Sequence, residues 1–372
     1  SVIYGDRFIL KLYRRLEEGT SPELEVGRYL TERQPFANVT AVAGAIEYRS
    51  EPPAEPVTLA ILHKYARAEG DAWSFTLDAL GRYFDHALAR SGAPVPTVST
   101  RSLLTLSQDP VSPEADEAVG PYMESARLLG QRTAELHLAL ASAVEDEGFA
   151  PEPFSTIYQR SLYHGYRAYT VQVLGALKNV AASLPPGTRE DAETVVARGD
   201  AILARFQAIT KRRIAAMRIR CHGDYHLGQV LHTGNDFIII DFEGEPARSL
   251  GERRIKHSPL RDVAGMLRSF HYATHVALRG QTSTVLRSED LPVLEQWARA
   301  WYVWVSSAFL RAYMDLMADT PVLPPKVEDC AVVLDAYLLQ KALYEANYEL
   351  NNRPDWLRVP LLGILQVLES TP

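Results

Sequence analysis

The side chains most capable of chemistry cluster between residues 221 and 243. The stretch reads Cys221-His222-Gly223-Asp224-Tyr225-His226-Leu227-Gly228-Gln229-Val230-Leu231-His232, then Thr233-Gly234-Asn235-Asp236, then Phe237-Ile238-Ile239-Ile240-Asp241-Phe242-Glu243. Two short apolar runs around a Gly-Asn-Asp turn predict a hairpin. With the turn on 233–236, His232 faces Phe237 and Leu231 faces Ile238, which sets Gln229 beside Ile240 and Asp241. The loop carrying Asp224 arrives at that same end, so one hairpin gathers two carboxylates and an amide oxygen, with Glu243 nearby. Hard oxygen ligands of this kind hold a magnesium ion on nucleotide phosphates. A separate Asp then orients an acceptor hydroxyl and takes its proton. The alternative is a hairpin with solvated acidic ends, but an acidic residue closing a buried strand and preceded by His-Gly-Asp is an unusual product of packing alone.

Composition narrows the partners. The formal charge of −7 argues against nucleic acid or an anionic membrane, because such binders usually carry a basic face. A small-molecule substrate fits better. Two cysteines, Cys221 and Cys330, make no disulfide framework, and no apolar run approaches the roughly 20 residues that cross a bilayer. No secretory signal opens the chain, so a cytoplasmic protein is expected. Strand-like sequence begins directly after Ser1, which suggests a longer polypeptide upstream. Neither a Gly-x-x-x-x-Gly-Lys-Ser/Thr loop nor a Gly-x-Gly-x-x-Gly motif occurs, which excludes a P-loop NTPase and a simple dinucleotide domain.

The elements that must position the cluster divide in two, as expected of 372 residues. Residues 1–66 read as a small β-rich lobe: a hairpin over 2–12, a helix starting at Thr20-Ser21-Pro22-Glu23 with a capping box and running to about Gln34, and a strand over 57–65 after a Pro-rich turn at 51–56. Residues 67–372 show helical periodicity, with 91–120 and 182–192 as exposed loops. The fold class is therefore α+β and bilobal. Lys11 follows an apolar strand segment that resembles the kinase strand whose lysine pairs with the nucleotide phosphates, and Glu25 lies on the following helix, where that resemblance implies the lysine-pairing acid. A surface Lys and Glu without that role remain open here. On a helix near 331–350, Tyr337, Lys341, Tyr344 and Tyr348 fall on one face with Glu345 beside them. Such a stripe either covers a sugar or packs against another helix.

His222-Gly223-Asp224 with Gln229 five residues on, and then Ile240-Asp241-Phe242-Glu243-Gly244-Glu245-Pro246, resembles the catalytic loop and metal motif of aminoglycoside-phosphotransferase-like kinases, and within them the maltokinases. That resemblance implies a protein-kinase-like fold using ATP and Mg²⁺, with Asp224 as catalytic base and Gln229, Asp241 and Glu243 as metal ligands. Gln229 stands where the aminoglycoside branch usually has Asn. Lys11 and Glu25 would serve the phosphates, and Lys64, Tyr65 and Ala66 resemble the hinge that holds adenine. No glycine-rich loop is visible. The segment 344–357 looks like the maltokinase C-terminal signature, placing Tyr344, Glu345, Tyr348, Arg353 and Trp356 around a disaccharide. His137 resembles a family substrate contact, with a satisfied core histidine as the alternative, and Asp262 resembles the residue that braces the catalytic loop. The implied reaction is phosphorylation of the anomeric hydroxyl of maltose to maltose 1-phosphate, with trehalose synthase as a fused or associated partner. Glucosamine kinase is the runner-up and shares every ATP-side residue. Two other classes stay in view. One is a metallohydrolase using His222, Asp224 and His226, and the other a nucleotide-binding regulatory module.

Overall fold

The computed structural model describes residues 1–49, 51, 55–89, 95–143, 145–282 and 291–370; residues 52–54 of the Pro-rich turn and 91–94 of the expected loop lie outside these. Among the described residues four strands make the sheet of the small lobe: β1 (Val2–Tyr4), β2 (Phe8–Leu12), β3 (Val42–Tyr48) and β4 (Val57–Lys64). They form one antiparallel sheet in the order β1-β2-β4-β3. The apolar run of β4 earns it a central place, with Ala60 and Ile61 fully buried. The sequence reading missed β3 because its Ala-Gly-Ala centre carries little strand preference.

A helix spans Pro22–Arg28 and continues as a π-helical turn over Tyr29–Arg33, ending close to the expected Gln34. Its N-cap is Ser21, which makes no side-chain capping bond. The expected capping box does not form, because the Glu23 carboxylate turns toward the sheet and accepts from Lys11 and Tyr13.

In the larger lobe the helices Tyr122–Ala141, Leu260–Thr282, Leu291–Met317 and Val327–Asn352 enclose a core that includes the fully buried Trp301, Tyr313, Phe270 and Phe309. Two segments expected as loops are helical. Leu103–Leu106 and Pro113–Val119 begin at Ser102 and Ser112, whose hydroxyls accept from Thr105 N and Ala115 N, so those serines are caps. Pro186–Ala197 opens with a proline in its first turn and buries Ala192 and Val195. Among the described residues no helix is long and apolar enough to cross a membrane.

The predicted hairpin forms as Val230–His232 and Phe237–Ile239, with Leu231 opposite Ile238 and His232 opposite Phe237. Ile240 N donates to Gln229 O at 3.0 Å, which sets Gln229 next to the start of the acidic segment. Gly70–Asp71 adds a third strand beside Val230–His232. Asn38 fastens the small lobe to this sheet, donating from its side chain to Phe237 O and accepting from Ile239 N, both at 2.8 Å.

Candidate active site

Asp224 sits on a loop that a buried carboxylate holds in place. Asp262, in the first turn of Leu260–Thr282, accepts from His222 N at 2.7 Å and Gly223 N at 3.0 Å. Burial opposes its ionisation, yet the bonds from His137 and the loop amides outweigh burial and hold its pKa down at about 2. His222 donates from Nε2 to Ile240 O at 2.8 Å, tying the loop to the strand that leads into Asp241. Gly223 and Gly244 both adopt positive φ, and a Cβ on Gly223 would lie 3.2 Å from Gly244 Cα. The loop and the acidic segment are thus in backbone contact.

His137 does not reach the substrate side. It is fully buried behind the loop, where Tyr313 O–H donates to Nδ1 at 3.0 Å and Nε2 faces Asp262 at 3.3 Å. The substrate-contact expectation is corrected to the core histidine. His222 likewise spends its ring on Ile240 O, and its Nδ1 accepts from Asp224 N at 3.4 Å, so the His222, Asp224 and His226 zinc set is not built. Burial holds His226 below the usual histidine range.

Lys11 forms the second cluster. Its Nζ lies 2.8 Å from Glu23, 2.5 Å from Asp241 and 2.5 Å from Glu243. Burial would lower its pKa, but the carboxylates of Glu23 and Asp241 win and raise it. Glu23, not Glu25, is therefore the lysine-pairing acid. Two residues further along one helix the side chain points away from the sheet, and Glu25 instead pairs with Arg220 and Arg254, each at 2.8 Å. Burial and His63 act oppositely on Glu23, and the bonds from His63 and Lys11 hold it low. Glu243 is raised, chiefly by burial.

Oxygen atoms of Glu23, Asp241 and Glu243 come within 4.8 Å of one another. Among the described residues Asp241 is the non-glycine residue in the left-handed region, at φ 68°, a strained conformation that clusters at functional positions. A close set of carboxylate oxygens fits a hard divalent cation. Gln229, the predicted amide ligand, is half-buried, and its backbone oxygen accepts from Ile240 N beside the start of the acidic segment.

At the junction of the lobes, Lys64 N donates to Ala41 O at 2.8 Å and Tyr65 N to Arg7 O at 2.9 Å. Those two amide hydrogens belong to the sheet, so neither is available to an adenine, which corrects that part of the hinge expectation. Ala66 follows, half-buried.

A cavity of about 540 Å³ opens beside Asp224. Tyr344, Glu345, Tyr348, Arg353 and Trp356, which the resemblance implied around a disaccharide, all line it. Lys341 lines it too and reaches Asp224 at 3.3 Å and Glu245 at 3.8 Å, while Tyr344 O–H donates to Glu245 at 2.8 Å. Tyr337, from the same predicted stripe, is buried against Tyr166 instead. Sequence reasoning missed Glu349, Tyr272 and Trp73. Glu349 takes both Nε and Nη2 of Arg353, at 2.9 and 2.6 Å, an i to i+4 pair that was legible in the sequence. Trp73 and Tyr272 arrive from other helices and carry no local signal.

Over nearly its whole length the chain is similar to known kinases. It is 24% identical to a glucosamine kinase of Streptacidiphilus jiangxiensis across 99% of this chain and 71% of that protein. It is 26% identical to a glucosamine kinase of Mycolicibacterium smegmatis, across 100% and 77% respectively. Among solved structures, a glucosamine kinase in crystal form B superposes with a TM-score of 0.69 at 23% identity, covering 99% of this chain and 74% of that one. The fold is the bilobal kinase-like fold. A glucosamine kinase in complex with glucosamine, ADP and inorganic phosphate gives the same TM-score at 22% identity, with 98% and 77% covered. No protein-family model matches the chain.

Proposed function

We propose that this protein transfers the γ-phosphoryl group of ATP to a hydroxyl of an amino sugar, with glucosamine the first acceptor to test. The observation that carries this reading is the placement of Asp224. Its side chain borders the 540 Å³ cavity, while its loop backbone abuts the segment bearing Asp241 and Glu243. An acceptor hydroxyl in the cavity and a nucleotide over the Lys11 cluster would then meet at one carboxylate.

In this reading Lys11, held by Glu23, pairs with the nucleotide phosphates, and residues 1–66 and 67–372 supply the two sides of the cleft. Asp224 orients the acceptor hydroxyl and takes its proton as the oxygen attacks the γ-phosphorus and ADP leaves. Asp241, Glu243 and Gln229 would hold Mg²⁺, which would neutralise charge building on the phosphates. Lys341, 3.3 Å from Asp224, holds that carboxylate in place before the sugar arrives.

The acceptor's chemistry follows from the lining. Asp224, Glu245, Glu345 and Glu349 line the cavity; Lys341 and Arg353 pair with three of them and Arg268 with Glu345 from behind, and the remaining excess of one carboxylate favours a cationic sugar over a neutral one such as maltose. Tyr344, Tyr348 and Trp356 offer apolar faces for the ring. The printed names of the relatives point the same way.

The test is ADP release with MgATP over glucosamine, maltose, glucose and an aminoglycoside, with the phosphorylated position read by NMR. Glucosamine should give the highest kcat/KM. Preference for maltose would sink the amino-sugar assignment, and ATP binding without phosphorylation of any acceptor would point to the regulatory module.

A further inference from the structure

We propose that Arg268, seated in a socket that Gly363 leaves open, is a positioning residue that fixes the Glu345 carboxylate for the acceptor. This rests on the reading above in one respect, that Glu345 touches the sugar. Arg268 itself is outside the cavity lining, its side chain only 3% exposed. Its Nε lies 2.9 Å and its Nη2 2.7 Å from Glu345 Oε2. Both contacts fall on one oxygen, so Oε1 remains to accept from a hydroxyl or an ammonium group. On the far side, Nη1 is 3.1 Å from His271 Nδ1. Burial, and then Arg268 itself, hold His271 well below the usual histidine range, so the neutral ring accepts there. The Tyr272 ring lies 5.6 Å from the guanidinium.

Helix Arg358–Glu369 closes the socket, and its Gly363 is what makes room. A Cβ built on Gly363 would overlap Arg268 Nη1. A planar guanidinium held on three sides cannot be replaced by a lysine ammonium, which lacks the fork that spans Glu345 and His271 at once. Residue 363 is not part of the cavity lining, yet it sets where Glu345 can stand.

Three variants, Arg268→Lys, Gly363→Ala and Glu345→Gln, together with the double variant Arg268→Lys/Glu345→Gln, test this by steady-state kinetics on the acceptor that the sugar panel selects. Urea unfolding confirms that each is folded. Arg268→Lys and Gly363→Ala should each raise the sugar KM about tenfold while the ATP KM stays within about twofold, since a misplaced carboxylate loses its contact. In the Glu345→Gln background the Arg268→Lys effect should vanish, a coupling that a purely structural role would not produce. The proposal is overturned if Glu345→Gln raises the sugar KM while the other two do not, or if the two effects simply add. If Glu345→Gln leaves the sugar KM unchanged, the premise about the acceptor pocket fails, and that outcome is distinct from failure of the socket.

Discussion

Replacing Asp262 with Asn should loosen the catalytic loop and destabilise the protein by an amount the structure bounds in two ways. The folded-state pKa of about 2, against an ordinary 3.8, is a difference of nearly two units, or about 2 kcal/mol favouring the folded carboxylate. Independently, Asn offers one acceptor oxygen where Asp262 takes His222 N, Gly223 N and His137. Its NH₂ group must then oppose a buried N–H, at a cost of about 1–3 kcal/mol. The two routes agree on a loss of about 2–3 kcal/mol at neutral pH. Because the folded pKa is depressed, this stabilisation is full above the unfolded value of 3.8 and is lost as pH falls through about 2. Urea titrations at pH 7, 5 and 3 should show a constant gap between wild type and variant down to pH 5 and a smaller one at pH 3. Turnover should fall about 100-fold as Asp224 loses its fixed position. Equal urea midpoints at pH 7, or a gap that widens in acid, would refute the brace.

Three further outcomes follow from the same geometry. Asp224→Asn should lower kcat by about 10³ with the ATP KM unchanged in initial-rate assays, and a retained kcat would remove Asp224 as the base. Glu23→Gln should raise the ATP KM and also lower stability in urea, because it removes a buried partner of Lys11 and Tyr13. Glu25→Gln should cost up to about 3 kcal/mol in urea, by unpairing the buried Arg220, but leave the ATP KM alone, so the reverse pattern in KM would restore Glu25 as the lysine partner. Chelation with EDTA should abolish turnover and added Mg²⁺ restore it, with Asp241→Asn shifting half-saturation by Mg²⁺ about tenfold or more. An unshifted curve would take Asp241 out of the metal set.

The parts of the site legible in sequence are those governed by a few consecutive residues. Counting outward from the turn at Gly234 placed Gln229 beside Ile240 because strand pairing has a period of two and a tight turn allows little slack. Helical spacing put Lys341, Tyr344 and Tyr348 on one face, but left open whether that face lined a cavity or packed against another helix. The errors came where a local pattern had two uses. Ser102 and Ser112 read as loop residues and are helix caps. His137 lies on an apolar helix face, and only the neighbouring helices show that Asp262 and Tyr313 wait there for its ring.

By itself the sequence determined the acidic hairpin, the lysine strand and the aromatic helix, since each depends on steric and hydrogen-bonding preferences acting over about a dozen residues. Only the tertiary structure decided that Lys11 meets Glu23 and not Glu25, that Asp224 borders the cavity lined by Tyr344 and Glu345, and that Gly363 makes room for Arg268. Those pairings join residues as much as 230 positions apart, as Lys11 and Asp241 are. Which side chain fills which space is set by how whole helices and sheets pack at near-crystalline density, and no short window of sequence records that.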